Sequence, residues 1–521
     1  MKHIALTTLA LGVVAALDAQ IPLGPTIEAG NTDSEWDLNV LPNPNDTGRF
    51  IFDNVASFLQ HWPNARYRNG HSLVPAVVPQ GTILYHGRGD GTFPSTPEWL
   101  ATDPEHANIF CLGKVETGCW QLTVAAVRPL NVLYFDGSGA AKMPDGAMDT
   151  QDLVAWGEIR PEKYIDEIGR IEDLCKWARK HNVDGLMRME MDFEIMFCDF
   201  HNGLEIVSFL QLHTFDFEPP ILPGGPQLMR HVFDGSLHYS HVAGSWHNRA
   251  PGDTRFQLDL TRMLTFYDTD LIPSLVVQRA GKHRWQHRLH GISSKDVAIA
   301  LDRLGGMFDL QPSLHSSVDW TTLFRVLVER YAGRLEHIRD LLLETEYDSS
   351  RTNQTAHRVQ NVLTSMLRHY AVFDAIPSGE GLAWVTPVFE LCARTHTKYI
   401  SSLELSYSER ILLSSFETTN KEICRVVTTM WANGVHAGLD EIIPVSPKAT
   451  PDALRAVVRG WEESVIRLMA WLDWSVWVRC EPACDLEEFC YMPEWPWLYK
   501  GDEDEGVRNR PQPKCIRRYV D

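Results

Sequence analysis

The chain lacks an excess of positive charge. Its 521 residues hold 68 acids against 48 bases, a net charge of −20 at pH 7. Proteins that bind nucleic acid or anionic membranes in general carry a basic field, so nucleic acid is not an expected partner. Beyond the first 16 residues there is no apolar run of the ~18 residues that a membrane-crossing helix requires, so no membrane span is expected. The last residues, Arg517-Arg518-Tyr519-Val520-Asp521, are charged, whereas a lipid-anchor signal ends in an apolar tail. Fixed-period repeats and low-complexity tracts are absent. So is the G-x-S-x-G nucleophile elbow of serine hydrolases. The glycine-containing stretch Asp136–Lys142 fails the phosphate-loop spacing, because Ala141 stands where the second glycine is required. It reads as an ordinary glycine turn.

Apolar side chains are not scarce. They make up 44% of the chain, with 17 Trp, 14 Tyr and 21 Phe, enough for a sizeable core. At roughly 150 residues per domain the length suggests two or three domains. Residues 1–19 read as a secretory signal peptide. Lys2 and His3 form a basic start, Ile4–Ala16 is apolar, and Ala15, Ala16 and Ala19 offer small cleavage-site residues. Secretion is therefore the expected location. The ten cysteines then point to disulfides. Four of them (Cys480, Cys484, Cys490 and Cys515) fall in a proline-rich tail, 480–521, too poor in apolar residues to fold unstapled. Its C-x3-C-x5-C spacing lacks the paired knuckles of structural zinc sites, so no metal is expected. Asn45-Asp-Thr47 and Asn353-Gln-Thr355 are candidate glycosylation sequons.

The periodicities give an α+β organisation. Residues 20–72 form an irregular lead-in with a short helix near 50–61. Residues 73–215 form a mixed α/β unit with strands at 81–86, 120–125, 132–135, 193–198 and 204–209, and helices at 99–110 and 171–181. Asn182 ends the second helix. Residues 216–226 carry four Pro and two Gly and read as a linker. Residues 227–479 are mostly helical. Phe324, Leu327, Val328, Tyr331, Leu335, Ile338 and Leu342 form a 3.6-residue stripe. Leu454, Val457, Val458, Trp461, Val465, Leu468 and Leu472 form another, behind a Thr450-Pro451-Asp452 start signal. Further helices are expected near 294–308, 353–371, 383–396 and 407–432.

Three segments of the α/β unit carry candidate chemistry. The first is Leu84-Tyr85-His86-Gly87-Arg88, at the end of a strand. The second runs from Phe93-Pro-Ser95-Thr96 through Trp99-Leu-Ala101-Thr102-Asp103-Pro104-Glu-His-Ala107. The third is Asp184-Gly185 followed by Glu190, Asp192 and Glu194. On one continuous strand, Glu190, Asp192 and Glu194 would share a face. Their mutual repulsion would raise at least one pKa, which suits general-base or cation-stabilising work. The plainer reading is an edge strand with a solvated polar face. Two of these carboxylates are also spaced within reach of a glycosidase pair. His238, His241 and His247, and separately His283, His287 and His290, are histidine clusters. Arg279, Lys282, Arg284 and Arg288 surround the latter, which reads as a basic strip on a solvated helix face, with binding of an acidic glycan or nucleic acid as the rival. Trp471, Trp474 and Trp477 read as core, with a sugar-stacking platform as the rival.

Taken in order, the three segments resemble the ADP-ribosyltransferase-like family over roughly residues 80–210. The chain as a whole resembles uncharacterised secreted proteins of filamentous fungi. The family resemblance implies a split sheet that holds NAD in its central cleft, with NAD as substrate and no metal. It implies that His86, or Arg88 in its place, contacts the adenosine ribose. Ser95 or Thr96 would lie under the nicotinamide ribose, and Trp99 would stand in for a stacking tyrosine. Glu194 would be the catalytic carboxylate that stabilises the oxocarbenium-like transition state, with Asp192 as a second acid. The expected function is therefore NAD-dependent ADP-ribosyl transfer to an unknown acceptor, or NAD hydrolysis. The alternative is a non-catalytic interaction protein whose transferase-like domain is inert.

Overall fold

A computed structural model describes residues 21, 23, 36–61, 66–108, 110–111, 116–143, 145–189, 192–214, 252–309, 316–347, 351–377, 381–445, 448–492 and 512–517. The expected signal peptide at 1–19, the expected linker at 216–226, Glu190 and the histidines at 238, 241 and 247 lie outside the described residues.

The fold is α+β: a curled mixed sheet with helices, then a helical region and a disulfide-bonded tail. Helix α1 is Gly48–Ser57. The first half then holds β1 (Ser72–Val78), β2 (Ile83–Arg88), β3 (Glu98–Ala101), α2 (Pro104–Asn108), β4 (Cys119–Ala126) and β5 (Leu130–Phe135). Next come α3 (Asp149–Trp156), α4 (Glu167–Lys180), β6 (Gly185–Met189), β7 (Phe193–Phe197) and β8 (Leu204–Leu212). Two short strands, β9 (Gln257–Leu258) and β10 (Leu264–Thr265), return to the same sheet. The sheet order is β10-β1-β5-β6-β7-β3-β2-β4-β8, with β9 also on β1. β5 and β6 run parallel, and the connection between them carries α3 and α4, as a parallel crossover requires. Asp166 caps the start of α4 by accepting from the Gly169 N–H, and Asn182, at φ 54°, turns the chain out of the helix.

Three sequence expectations change here. Residues 99–110 do not form one helix. Trp99 and Leu100 pair with Met196 and Ile195 in the sheet, and the helix is confined to α2. The ladder overrides local propensity at Trp-Leu-Ala, and Pro104 sets the helix start. Asp192 and Glu194 do not lie on one strand either, because Met189 of β6 pairs antiparallel with Phe193, the first residue of β7, so Asp192 precedes the strand that carries Glu194. Finally, β1 was not foreseen because Pro75 interrupts it. Pro75 has no N–H to give, and it falls in a gap between neighbours: β10 pairs with residues 72–73 and β9 with 76–77.

The helical region comprises α5 (Ser274–Arg279), α6 (Ser294–Asp309), α7 (Trp320–Tyr347), α8 (Thr352–Leu367), α9 (Thr386–Arg394), α10 (Tyr407–His436) and α11 (Pro451–Leu472). Ser406 and Glu409 form a reciprocal capping box at the start of α10. The Thr450 hydroxyl caps α11, which Asp473, at φ 48°, ends. Every residue of α1 is buried, and the helix joins the two halves. Phe52 stacks on Phe324 of α7 at 4.8 Å and on Trp474 at 5.6 Å. One apolar core runs from Val74, Leu84, Leu122 and Ile195 of the sheet to Phe324, Phe416 and Trp461 of the helices.

Five disulfides use all ten cysteines. Cys111–Cys119 closes the loop before β4, and Cys175–Cys198 ties α4 to the end of β7. Cys392–Cys424 joins α9 to α10. Cys480–Cys490 and Cys484–Cys515 staple the tail around the hairpin of β11 (Glu488–Tyr491) and β12 (Lys514–Arg517).

Candidate functional site

The strands that carry the three segments are neighbours, in the order β7, β3, β2. β3 pairs with β7 along its whole length, whereas β2 and β3 pair at Tyr85 and Ala101 and then part. His86 lies at that parting. Its Nδ1 donates to the Trp99 carbonyl at 2.7 Å, and its Nε2 is 2.8 Å from the Glu98 carboxylate. Arg88 reaches Glu98 at 3.2 Å and Asp90 at 3.1 Å. Ser95 and Thr96 are exposed on the connection between β2 and β3. Trp99 is half-buried. Glu98, which organises this group, was missed by the sequence reading. Its position between Pro97 and Trp99, opposite a strand bearing His and Arg, is the available signal.

Glu194 and Asp192 belong to a different cluster. Residues paired across an antiparallel ladder share a face. Tyr85 pairs with Ala101, Ala101 with Glu194, and Glu194 with Arg188, so these four side chains lie on one face. His86, one residue beyond Tyr85, points to the other face, which it shares with Leu100 and Ile195. The structure therefore brings His86 together with Arg88, and Glu194 together with Asp192, but places the two pairs on opposite sides of the sheet.

The Glu194 cluster is closed. Glu194 is 3% exposed and Asp192 0%. Arg188 donates from Nε to Glu194 at 2.7 Å, from Nη1 to Gln151 at 3.0 Å and from Nη2 to Glu167. His106, from α2, sits 3.5 Å from Glu194 and 3.9 Å from Asp192, and His61 approaches Asp192 at 3.4 Å. Burial works to raise the Glu194 pKa, but the Arg188 charge and His106 outweigh it and hold the carboxyl well below the ordinary range. Burial likewise opposes a charged His106, and the neighbouring carboxylates win and raise its pKa. At Glu194 the repulsion expected from neighbouring carboxylates is outweighed by pairing with Arg188. Arg188 and His106 were not singled out by the sequence reading. An arginine inside the apolar run Gly-Leu-Met-Arg188-Met is itself a signal, since a buried guanidinium demands a carboxylate.

The remaining candidates resolve as structure. Trp471 and Trp474 are buried and Trp474 stacks on Trp477 at 5.2 Å, so these rings pack as core. The basic strip is not a solvated face: Arg279 and Arg284 are buried, and Arg284 pairs with Asp53 at 2.7 Å. His287 is buried against Tyr267, and burial, followed by the charge of Arg279, lowers its pKa well below the usual histidine value. In the glycine turn Asp136 accepts the His71 and Ser72 N–H groups at 2.7 and 2.6 Å, and Gly70 packs so tightly on the Asp136 carbonyl that a Cβ would lie 2.1 Å away. Among the described residues, the grouping with metal-like spacing is Cys480, Cys484 and Cys515, and disulfides occupy those sulfurs. Asn353 is exposed in the first turn of α8, while Thr47 of the other sequon is buried and donates to the Tyr267 carbonyl at 2.7 Å.

A family model described as the YPL277C N-terminal domain matches residues 41–120 and 114–218, the stretch from α1 to β8 that holds both clusters. The chain is similar to uncharacterised yeast proteins. It is 25% identical over 551 aligned positions to the uncharacterized protein YOR389W of Saccharomyces cerevisiae (strain ATCC 204508 / S288c), covering 89% of this chain and 84% of that protein. It is 30% identical over 215 positions to the uncharacterized protein YPL277C of the same organism, covering 32% of this chain and 44% of that one. No solved structure matches the chain.

Proposed function

We propose that this chain is an exported, disulfide-stapled protein that works by binding, and that its transferase-like sheet is catalytically inert. The closure of Glu194 carries this reading. A carboxylate that stabilises a cationic sugar must touch it, and Glu194 is buried with its oxygens facing Arg188 and His106. Arg188 already neutralises the charge that Glu194 would otherwise offer to the developing cation. The use of all ten cysteines in disulfides supports an oxidising compartment.

A second reading keeps NAD as substrate, for glycohydrolysis or ADP-ribosyl transfer. It is favoured by the adjacency of the three motif strands and by the parting of the sheet at His86. In that case Glu194 would have to be freed from Arg188 and His106 to reach the sugar.

Nicotinamide release from NAD by the oxidised protein, with Glu194→Gln beside it, separates the two. The binding reading expects no release above the blank from either protein, and no NAD-dependent shift in thermal midpoint. Release by the wild type that Glu194→Gln abolishes would overturn it and install the second reading.

A further inference from the structure

His106, from α2, stands between two buried carboxylates and reaches them with different nitrogens of its ring. Nε2 lies 3.5 Å from Oε2 of Glu194, and Nδ1 lies 3.9 Å from Oδ2 of Asp192. The histidine is 1% exposed and Asp192 0%. A neutral imidazole carries an N–H on one nitrogen and a lone pair on the other, whereas the imidazolium carries an N–H on both. The neutral ring would serve one carboxylate and turn a lone pair on the other. Standing between two acids therefore requires the charged form.

The neighbours show which groups can change charge. Arg188 takes Oε1 of Glu194 at 2.7 Å and also pairs with Glu167. Asp103, just before α2, is held by Arg255 at 3.1 Å, and Arg255 also holds Asp253 at 2.5 Å. β2 meets α2 where Gly87 packs on the Ala107 carbonyl, a contact without charge. Arginines keep their charge through the physiological range. The change falls on the imidazoles, His106 and also His61, which lies 3.4 Å from Asp192. Burial opposes a charged His106, but the hydrogen bond and charge of Glu194, followed by the charges of Asp192 and Asp103, outweigh it and raise its pKa above the usual histidine value.

We infer that Asp192, His106 and Glu194 form a pH-sensitive latch, which holds α2 against β7 while His106 is an imidazolium and loosens when His106 gives that proton to solvent. Losing the proton removes a positive charge from beside a fully buried carboxylate, and such a change is costly. A histidine whose folded pKa is raised contributes stability in full below its unfolded value, near 6.5, and that contribution is lost as pH rises through the folded value. The latch thus favours the closed cluster in acidic to neutral surroundings. It concerns the regulation of the Glu194 cluster but does not rest on the binding reading, since an inert sheet and an active one would both carry it.

The test is hydrogen exchange, read by mass spectrometry on peptides spanning α2 and β7 of the full-length oxidised protein. It is run at about pH 5.5 and about pH 8.5, on either side of the histidine range, with intrinsic exchange rates divided out. In the wild type, α2 is expected to lose protection several-fold at the higher pH while α11 does not. His106→Gln has no such proton to lose, and its α2 is expected to be weakly protected at both values, with no step between them. Because that variant can fail to fold, Asp192→Asn provides a second arm: a neutral amide needs no cation beside it, so the step is expected to shrink. NAD turnover is not read, so the outcome is independent of the nicotinamide assay. Equal protection of wild-type α2 at the two pH values, or a step of wild-type size in either variant, overturns the inference.

Discussion

Arg188 is the residue on which the sheet's charge cluster turns. It is 1% exposed and holds two carboxylates, Glu167 and Glu194. Replacing it with Met leaves Glu194 buried without its guanidinium, and the expected loss is about 3–5 kcal/mol in urea unfolding. Glu194→Gln in the same background should restore part of that loss, and a double-mutant cycle measures how much. The low Glu194 pKa gives this pair a definite pH dependence. A carboxyl whose folded pKa lies below its unfolded value contributes stability above the unfolded value, near 4.5, and loses it as pH falls. Asp136 has the opposite sign. Burial raises its pKa to about 7, against the pull of the Ser72 and His71 N–H groups. Between about pH 4 and 7 the folded form keeps a proton that the unfolded chain releases, so this group's contribution falls as pH rises through that window and is level above it. The difference between wild type and Asp136→Asn in urea midpoint at pH 5 and pH 7.5 isolates this effect: wild type should lose more stability between the two values. At this scale the carboxylates and His86 were legible as candidates. Their partners were not, because Arg188, His106 and Glu98 acquire meaning only from the strands and the helix that face them.

Among the elements, the helices were the most legible. Stripes of 3.6-residue period marked α7 and α11, and their buried faces are those apolar residues, including Leu327, Leu335, Ile338, Trp461, Val465 and Leu468. The Thr450-Pro451 start signal also stands as a cap, with the Thr450 hydroxyl accepting the Ala453 N–H at 3.3 Å. Thr450→Ala should cost about 1 kcal/mol, read as a lowered denaturant midpoint with unchanged slope. Trp461 is 1% exposed and donates to the Met430 carbonyl at 2.8 Å, joining α11 to α10. Trp461→Ala should cost about 3–5 kcal/mol, a loss that differential scanning calorimetry would show as a large fall in midpoint. The strands at 83–88, 119–126, 130–135 and 193–197 were found within a few residues. β3 was not, because its four residues form a strand only through the ladder to β7, and local propensity favoured a helix.

Over the whole molecule, the proline-rich segment at 216–226 suggested a boundary between an α/β half and a helical half. The sheet and the core extend past it. β9 and β10, from residues 257–265, complete the sheet on β1, while α1, from the lead-in, is buried among α7 and α10. Such a shared core predicts one cooperative transition for both halves: strand and helix signals in circular dichroism should be lost at the same temperature as tryptophan fluorescence. Two separate transitions would show that the halves are energetically independent.

The sequence by itself determined the chemical class of the molecule and most of its helices. Composition, cysteine number and apolar period depend on which residues are present and how they are spaced, and an acidic, disulfide-bonded α+β chain follows from them. Only the tertiary structure decided what the candidate residues do. Whether a carboxylate faces solvent or an arginine, and whether His86 and Glu194 share a face or are parted by a sheet, depends on strand register and on partners that lie far away along the chain. A shift of one residue in register exchanges the faces of a strand, and no local pattern in these segments records it.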